Sequence, residues 1–451
     1  MDTARVESRL AELFSHPRWI ILNSVSANTQ TLIDQLQKWG GSEYLVVAGE
    51  TGVGDQPNAE TVWMPSPPGT VMEGFRRFAE RVENPPPEVT EAVETFDPRG
   101  EARALGPLFG TPNRFLGRHL YGTRPTAWES FEDKIVSSSI WDAAGLAHAP
   151  YEVVDLEEAP RAAARMTGRL GTVWAADNTE GWHGGGEYTR WIPDATVADD
   201  AVESLKGRAR RVRVMPFLEG IPCSIHGVVT PGGVAALRPV ELLILRRRDR
   251  TGFLYAGVAN TWDPPAPLRE EMRRAARIVG EVLRDRSGHR GPFSIDGIAT
   301  RDGFRPTELN PRFSVGYGIQ AATMPELHGG FFVRGLVEGD LDLDARDLEV
   351  ALTAAADAQR AVRMGVPIAG AHPRASMTCQ IVDGTVRRSE DGALLEVGPS
   401  PAGSFMLWNV HATDVPAGAS FAPYAAAVLD LAREEWALPI PAVEPAQTDT
   451  V

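Results

Sequence analysis

Phe293-Ser-Ile-Asp296-Gly297 is followed, twelve residues after the aspartate, by Glu308-Leu-Asn310-Pro-Arg312. Phe293 and Ile295 begin a β-like alternation, and Arg301-Asp-Gly303 supplies turn residues, so a hairpin is predicted. On its returning strand, residues two apart share a face, which lines up Glu308, Asn310 and then Arg312. A partner strand sets Asp296 opposite that row. Two carboxylates and an amide oxygen are hard ligands, suited to Mg²⁺ held against phosphate oxygens. An arginine beside them suits the charge of a transferring phosphoryl group. A surface hairpin with polar residues facing water fits the same spacing. The run Phe313-Ser314-Val-Gly316-Tyr-Gly318 favours a site, because repeated glycines let backbone approach a ligand closely.

Bulk properties narrow the alternatives. At 451 residues the chain exceeds a single core, so two or three domains are expected. With 43% apolar and 23% charged residues it reads as an ordinary globular protein. A net charge of −15 argues against nucleic acid and anionic membrane as partners. Only two cysteines, Cys223 and Cys379, stand far apart without CxxC spacing, so a disulfide framework is not expected, and no histidine spacing suggests zinc. The charged start lacks a signal peptide's apolar run and no stretch is long enough to span a membrane, so a cytoplasmic location is expected. Lys38, Lys134 and Lys206 are the only lysines among 45 basic residues, which makes each worth a question.

Arg18 to Asn23, Thr31 to Lys38 and Tyr44 to Ala48 read as strand, helix and strand, hence a parallel sheet. No GxGxxG follows the first strand, so a dinucleotide site is not expected there. Glu132-Asp-Lys134 leads a helix ending near Gly145, and a strand follows Pro150. Gly184-Gly185-Gly186, inside Gly181-Trp-His-Gly184, lies between strands predicted at 171–175 and 188–192. Such a run can wrap its amides around phosphate oxygens or simply turn at the surface. Past residue 345 the pattern predicts a helix from Leu348 to Val362 and strands at 376–383 and 393–397. A helix from Tyr424 to Trp436 and a fraying Pro-rich tail complete the chain.

The pattern Asp-x₁₁-Glu-x-Asn-Pro-Arg resembles the metal-binding hairpin of ATP-grasp ligases. The resemblance implies α/β and α+β architecture: an ATP-grasp fold with a pre-ATP-grasp α/β domain at 1–125, an ATP-grasp domain at 126–345 with its lid at about 150–218, and a C-terminal α+β domain at 346–451. It implies ATP and Mg²⁺, two ions, as cofactors, with Asp296, Glu308 and Asn310 as metal ligands and Arg312 as the catalytic cation. Lys134 and the lid glycines Gly184, Gly185 and Gly186 would hold phosphates. Met215, Pro216, Phe217, Leu218 and Glu219 would frame the nucleotide, adenine meeting the Pro216 carbonyl and the Leu218 N–H, with Glu219 or Ser224 reaching the ribose.

Two departures stand out against that pattern. The family's second lysine, before the lid, is replaced by Val173-Trp-Ala-Ala176, and Arg190 is the candidate substitute. An arginine expected two residues before Asp296 is Ser294. For substrates, Glu241 could receive an ammonium group or be a surface acid, and Ser314 and Gly316 could donate to a carboxylate. His226 reads as packed.

The implied reaction joins a small-molecule carboxylate donor to an amine or peptide acceptor through an acyl phosphate, and a homodimer is left open. The layout and lid are further similar to the pheganomycin-type peptide ligases of natural-product (antibiotic) biosynthesis. Biotin-dependent carboxylation and a non-catalytic ATP-binding module are the rival readings.

Overall fold

The computed structural model describes residues 1–67, 69–108, 112–166, 168–177, 184–249, 252–339, 341–411 and 418–446. Strands Arg18–Val25 and Glu43–Glu50 run parallel, Arg18 opposite Glu43, with helix Gln30–Lys38 between them. They sit in a six-stranded sheet whose outermost pair, Arg114–Phe115 with Arg118–Tyr121, is antiparallel. Ile20, Leu22, Leu45 and Val47 pack on one face beneath helices Val71–Glu83 and Pro87–Phe96. Trp19, Ile21 and Val46 face the other way, into a core shared with Phe331, Phe332 and Leu348. Alternation along each strand therefore fastens this layer to the rest of the chain.

A second, antiparallel sheet orders Glu152–Asp155, Arg211–Pro216, Thr172–Ala176 and Thr189–Ile192. One face, with Trp174, Val212 and Val214, is covered by helices Ala159–Arg165 and Ala198–Leu205. Val173 and Met215 belong to the opposite face, away from those helices. Gly181, Trp182 and His183 of the glycine-rich element lie outside the described residues.

The third sheet has twelve strands, and its length is the main correction to the sequence reading. It begins with Gly303–Asn310 and passes through Gly291–Thr300, Ile221–Thr230, Val240–Arg247 and Phe253–Ala259. It then continues into Ala361–Ala369 and Gly403–His411. The helix expected to reach Val362 stops at Ala358, and Val362 lies in strand Ala361–Ala369 instead. Pairs Gly257↔Met364, Val258↔Arg363 and Ala259↔Val362 join the two halves. Gly257, with φ +128°, is required at this seam, since a Cβ there would overlap the Arg363 carbonyl. Within the Pro-rich segment expected to fray, Val443–Pro445 is instead paired with Val240–Arg247.

Long helix Ala266–Ser287 covers one side of the sheet's first half through Met272, Ala276, Val279 and Leu283. Helix Ala422–Trp436 covers the second half. Glu241, offered above as a substrate or surface acid, is neither. It is fully buried and accepts from Ser420 Oγ at 2.5 Å, Phe421 N at 2.7 Å and Ala422 N at 3.4 Å. A carboxyl is thus set at the positive end of that helix. Among the described residues no helix is long and apolar enough to cross a membrane.

Burial raises the Glu241 carboxyl from 4.5 to about 7, outweighing the three hydrogen bonds that favour its charge. A carboxyl raised on folding binds its proton more tightly in the folded chain, so stability falls as pH rises from about 4.5 to about 7. Urea unfolding across that range should show a flatter decline in Glu241→Gln than in the parent, by at most about 3 kcal/mol. An identical decline in both proteins would contradict this.

Candidate active site

The two-residue turn Arg301–Asp302 closes the hairpin, and its register sets Asp296 opposite Glu308 and Ser294 opposite Asn310. Antiparallel partners point to one side, so these four side chains share a face, while Ile295 and Leu309 pack into the core behind. Burial, and then the charge of Glu308, push the Asp296 carboxyl upward. Asn310 Nδ2 donates to Asp296 Oδ2 at 3.1 Å, and Arg312 Nη2 donates to Asn310 Oδ1 at 3.1 Å. The hairpin thus concentrates negative charge beside an amide.

Cations converge from elsewhere. Lys134 stands just ahead of helix Val136–Ala143, where Asp133 Oδ1 accepts from Ile135 N and Val136 N and caps the turn. From there Lys134 Nζ lies 3.0 Å from Glu308 Oε1. Arg312 Nε donates to both oxygens of Glu132 at 3.1 and 3.2 Å, and Glu132 also pairs with Arg124. Glu132 and Arg124 are buried and were not singled out from sequence. Glu132 stood in view two residues before Lys134, but only the fold brings Arg124 to it.

Arg213 is the other residue that sequence reasoning passed over. It lies opposite Ala175 on the neighbouring strand, at the position where the expected lysine is absent, and on the same face as Val173 and Met215. Its Nη2 donates to Thr307 O at 2.6 Å, and Nη1 to Ser137 Oγ and Ser138 Oγ at 3.3 Å. Burial lowers this guanidinium to about 10, with Glu308 the foremost charge supporting it. Arg190 is not the substitute. It faces the covering helix, donating to Ser204 Oγ at 3.0 Å and Glu187 O at 2.7 Å.

Val173, Met215 and Ala149, with Tyr151, Phe217, Leu218 and Phe253 around them, make an apolar floor beside Arg213. Phe217 N is held by Gly171 O at 2.9 Å, which fixes the turn after Pro216. Glu219 is at the rim and pairs with Arg169. Ser224 lies opposite Asp296, on the acid face, and not beside the floor. Gly184 lies close to Met72 and Arg312, and Glu187 accepts from Thr70 Oγ1 at 2.9 Å, so this loop rests on the first domain above the arginine. Gly185 and Gly186 have positive φ and open space around them.

Ser314 and Gly316 are both engaged by neighbouring protein. Ser314 Oγ caps helix Val315–Ala321 and lies 2.9 Å from His226 Nε2. A Cβ on Gly316 would overlap the His226 ring. Burial drives His226 down to about 3, so it is a neutral packed residue.

Two carboxylates facing each other, with an amide between them and an arginine, fit a hard divalent cation. Among the described residues no three His, Cys, Asp or Glu side chains converge to hold a metal by themselves. The set therefore suits Mg²⁺ whose remaining ligands are phosphate oxygens and water.

No protein-family model matches the chain, and no curated protein matches it in sequence. Among solved structures it is similar to an L-amino acid ligase from Bacillus licheniformis, at 13% identity and TM-score 0.51, over 88% of this chain and 95% of that one. It is also similar to a biotin carboxylase from Campylobacter jejuni, at 12% identity and TM-score 0.54, over 96% and 94%. Both are ATP-grasp enzymes, and this chain has the ATP-grasp fold.

Gly316→Ala should destabilise the protein by about 1–3 kcal/mol through overlap with the imidazole. Adding His226→Ala should recover part of that loss, so urea titrations of the double variant should fall short of the summed single effects. Strict additivity would show that the close approach is not what demands glycine.

Proposed function

We propose that this protein is an ADP-forming ligase that activates a substrate carboxylate with ATP and joins it to an amine. One observation carries this reading. Asp296, Glu308, Asn310, Arg312 and Lys134 form a single cluster, beside an apolar floor and beneath a glycine loop.

In this reading a carboxylate oxygen attacks the γ-phosphorus of ATP and ADP leaves, giving an acyl phosphate. The amine then attacks the acyl carbon, phosphate departs, and the amine loses a proton. Asp296, Glu308 and Asn310 would hold Mg²⁺, which supplies charge neutralisation on the phosphate oxygens. Arg312 stabilises the transferring phosphoryl group, and Glu132 keeps that guanidinium oriented. Lys134 exchanges its contact with Glu308 for nucleotide phosphate. Arg213 supplies the phosphate contact that Ala175 cannot. The floor of Val173 and Met215 takes adenine, whose edge meets the Pro216 carbonyl and the Leu218 N–H. The glycine loop excludes water from an intermediate that hydrolyses readily. An amino-acid-like donor and a peptide or amino-acid acceptor, in natural-product biosynthesis, are the substrates that the sequence resemblance suggests.

Incubation with Mg-ATP, the twenty amino acids and hydroxylamine should yield hydroxamate and ADP. Bicarbonate-dependent ADP release without hydroxamate would indicate carboxylation, and no ADP under either condition a binding module. Glu308→Ala should lower hydroxamate formation by about a hundredfold or more.

Arg213→Met offers a separate check. It should weaken ADP binding by about tenfold or more while adenosine, which lacks phosphate, binds as before. Calorimetry showing equal losses for both ligands would assign Arg213 to the scaffold alone.

A further inference from the structure

Helix Val71–Glu83 begins where three parts of the chain meet. Thr70 is its N-cap: Thr70 Oγ1 accepts from Glu73 N at 3.1 Å, and Glu73 Oε2 accepts from Thr70 N at 2.8 Å. This reciprocal pair fixes the first turn. On one side the turn meets the hairpin of strands Ala393–Ser400 and Gly403–His411. Gly69 N donates to Pro401 O at 3.0 Å, and a Cβ on Gly74 would overlap the Pro401 ring. Those two strands belong to the acid-bearing sheet, so the helix start is propped by the sheet that carries the site.

On its other side the helix start meets the glycine loop. The Thr70 hydroxyl oxygen takes the Glu73 amide hydrogen, and its own proton goes to Glu187 Oε1 at 2.9 Å. Glu187 Oε2 lies 3.7 Å from Arg76 of the same helix, and at 13% and 20% exposure the two are little screened by water. The positive end of the helix favours the carboxylate as well.

Within the loop, Glu187 N donates to Gly184 O at 3.1 Å and Thr189 N to Gly186 O at 2.9 Å. These bonds close Gly184 to Thr189 into one folded turn, anchored by the buried Tyr188, whose carbonyl accepts from Ala176 N at 3.1 Å. Where Glu187 is held, Gly184 is held too. A Cβ on Gly184 would stand 3.4 Å from Met72 Cε and 3.7 Å from Arg312 Nη2, so the turn rests directly on the arginine. Among the described residues neither Thr70 nor Glu187 bonds to Arg312, Lys134 or the acid hairpin. Each acts through the place it gives the loop.

We infer that Thr70 and Glu187 are positioning residues that seat the glycine loop over the nucleotide phosphates, so that breaking their contact limits how fast ADP leaves. The inference rests on the ligase reading above, which puts the phosphates beneath this loop. A covered ligand escapes only after its cover lifts.

Release of a ribose-labelled fluorescent ADP, with Mg²⁺ present and unlabelled ADP in excess, is read by stopped flow. Glu187→Ala leaves the helix cap intact and should speed release about tenfold or more. Thr70→Val should do the same, whereas Thr70→Ser, which keeps the hydroxyl, should release at nearly the parent rate. Combining Thr70→Val with Glu187→Ala should add little to either alone, because both remove one bond. Adenosine carrying the same label lacks phosphate and should leave every variant at the parent rate. A misfolded variant binds less ligand in total, and the rate is read only from the fraction that binds. Parent-like ADP release from Glu187→Ala, single effects that multiply in the double variant, or equal acceleration of adenosine would each overturn the seat. Failure of the parent to bind ADP would instead remove the nucleotide site on which the ligase reading stands.

Discussion

Two carboxylates held face to face by strand register are the constraint around which the rest of this structure is arranged. Asp296 and Glu308 cannot move apart without breaking the ladder that pairs them. Like charges so placed repel, and burial sharpens the repulsion because little water screens it. Lys134 and Arg312 supply opposite charge from outside the hairpin, one on Glu308 and one on Asn310. Each is itself held, Lys134 by the turn that Asp133 caps and Arg312 by Glu132. A divalent cation with phosphate would satisfy the same acids and free both cations to meet the nucleotide.

A third cation arrives by a less direct route. With Ala175 on the strand before the glycine loop, Arg213 reaches the same face from the neighbouring strand. Its contact with the Thr307 carbonyl places it one residue from Glu308, so it ties the small sheet to the acid hairpin. Arginine suits this position better than lysine. Its planar head serves several acceptors at once and keeps its charge when buried.

The C-terminal strands extend the acid-bearing sheet and do not form a separate layer. Arg238 helps fix this join: its fully buried guanidinium pairs with Asp263 and Asp357 and donates to Trp262 O at 2.9 Å. Arg269 and Arg360 share those acids, at 2.7 and 3.1 Å. Such a network is costly to desolvate but strict in geometry, and it secures the start of strand Ala361–Ala369 against the sheet.

The hairpin was legible from sequence because turn chemistry and period-two alternation are local. The first parallel strands were legible for the same reason. Alternation at Val362, Met364, Val366 and Ile368 also lay in plain view, but an alanine-rich helix running up to it masked the change of period. Glu241 was misplaced because a polar residue near a motif suits a site and a cap equally well. Only packing tells them apart. The chain by itself therefore brought together Asp296, Glu308 and Asn310, the residues proposed to hold the metal, because they lie within one hairpin. Tertiary structure decided which cations attend it and how far its face extends, because cross-strand register joins residues that no spacing in sequence relates.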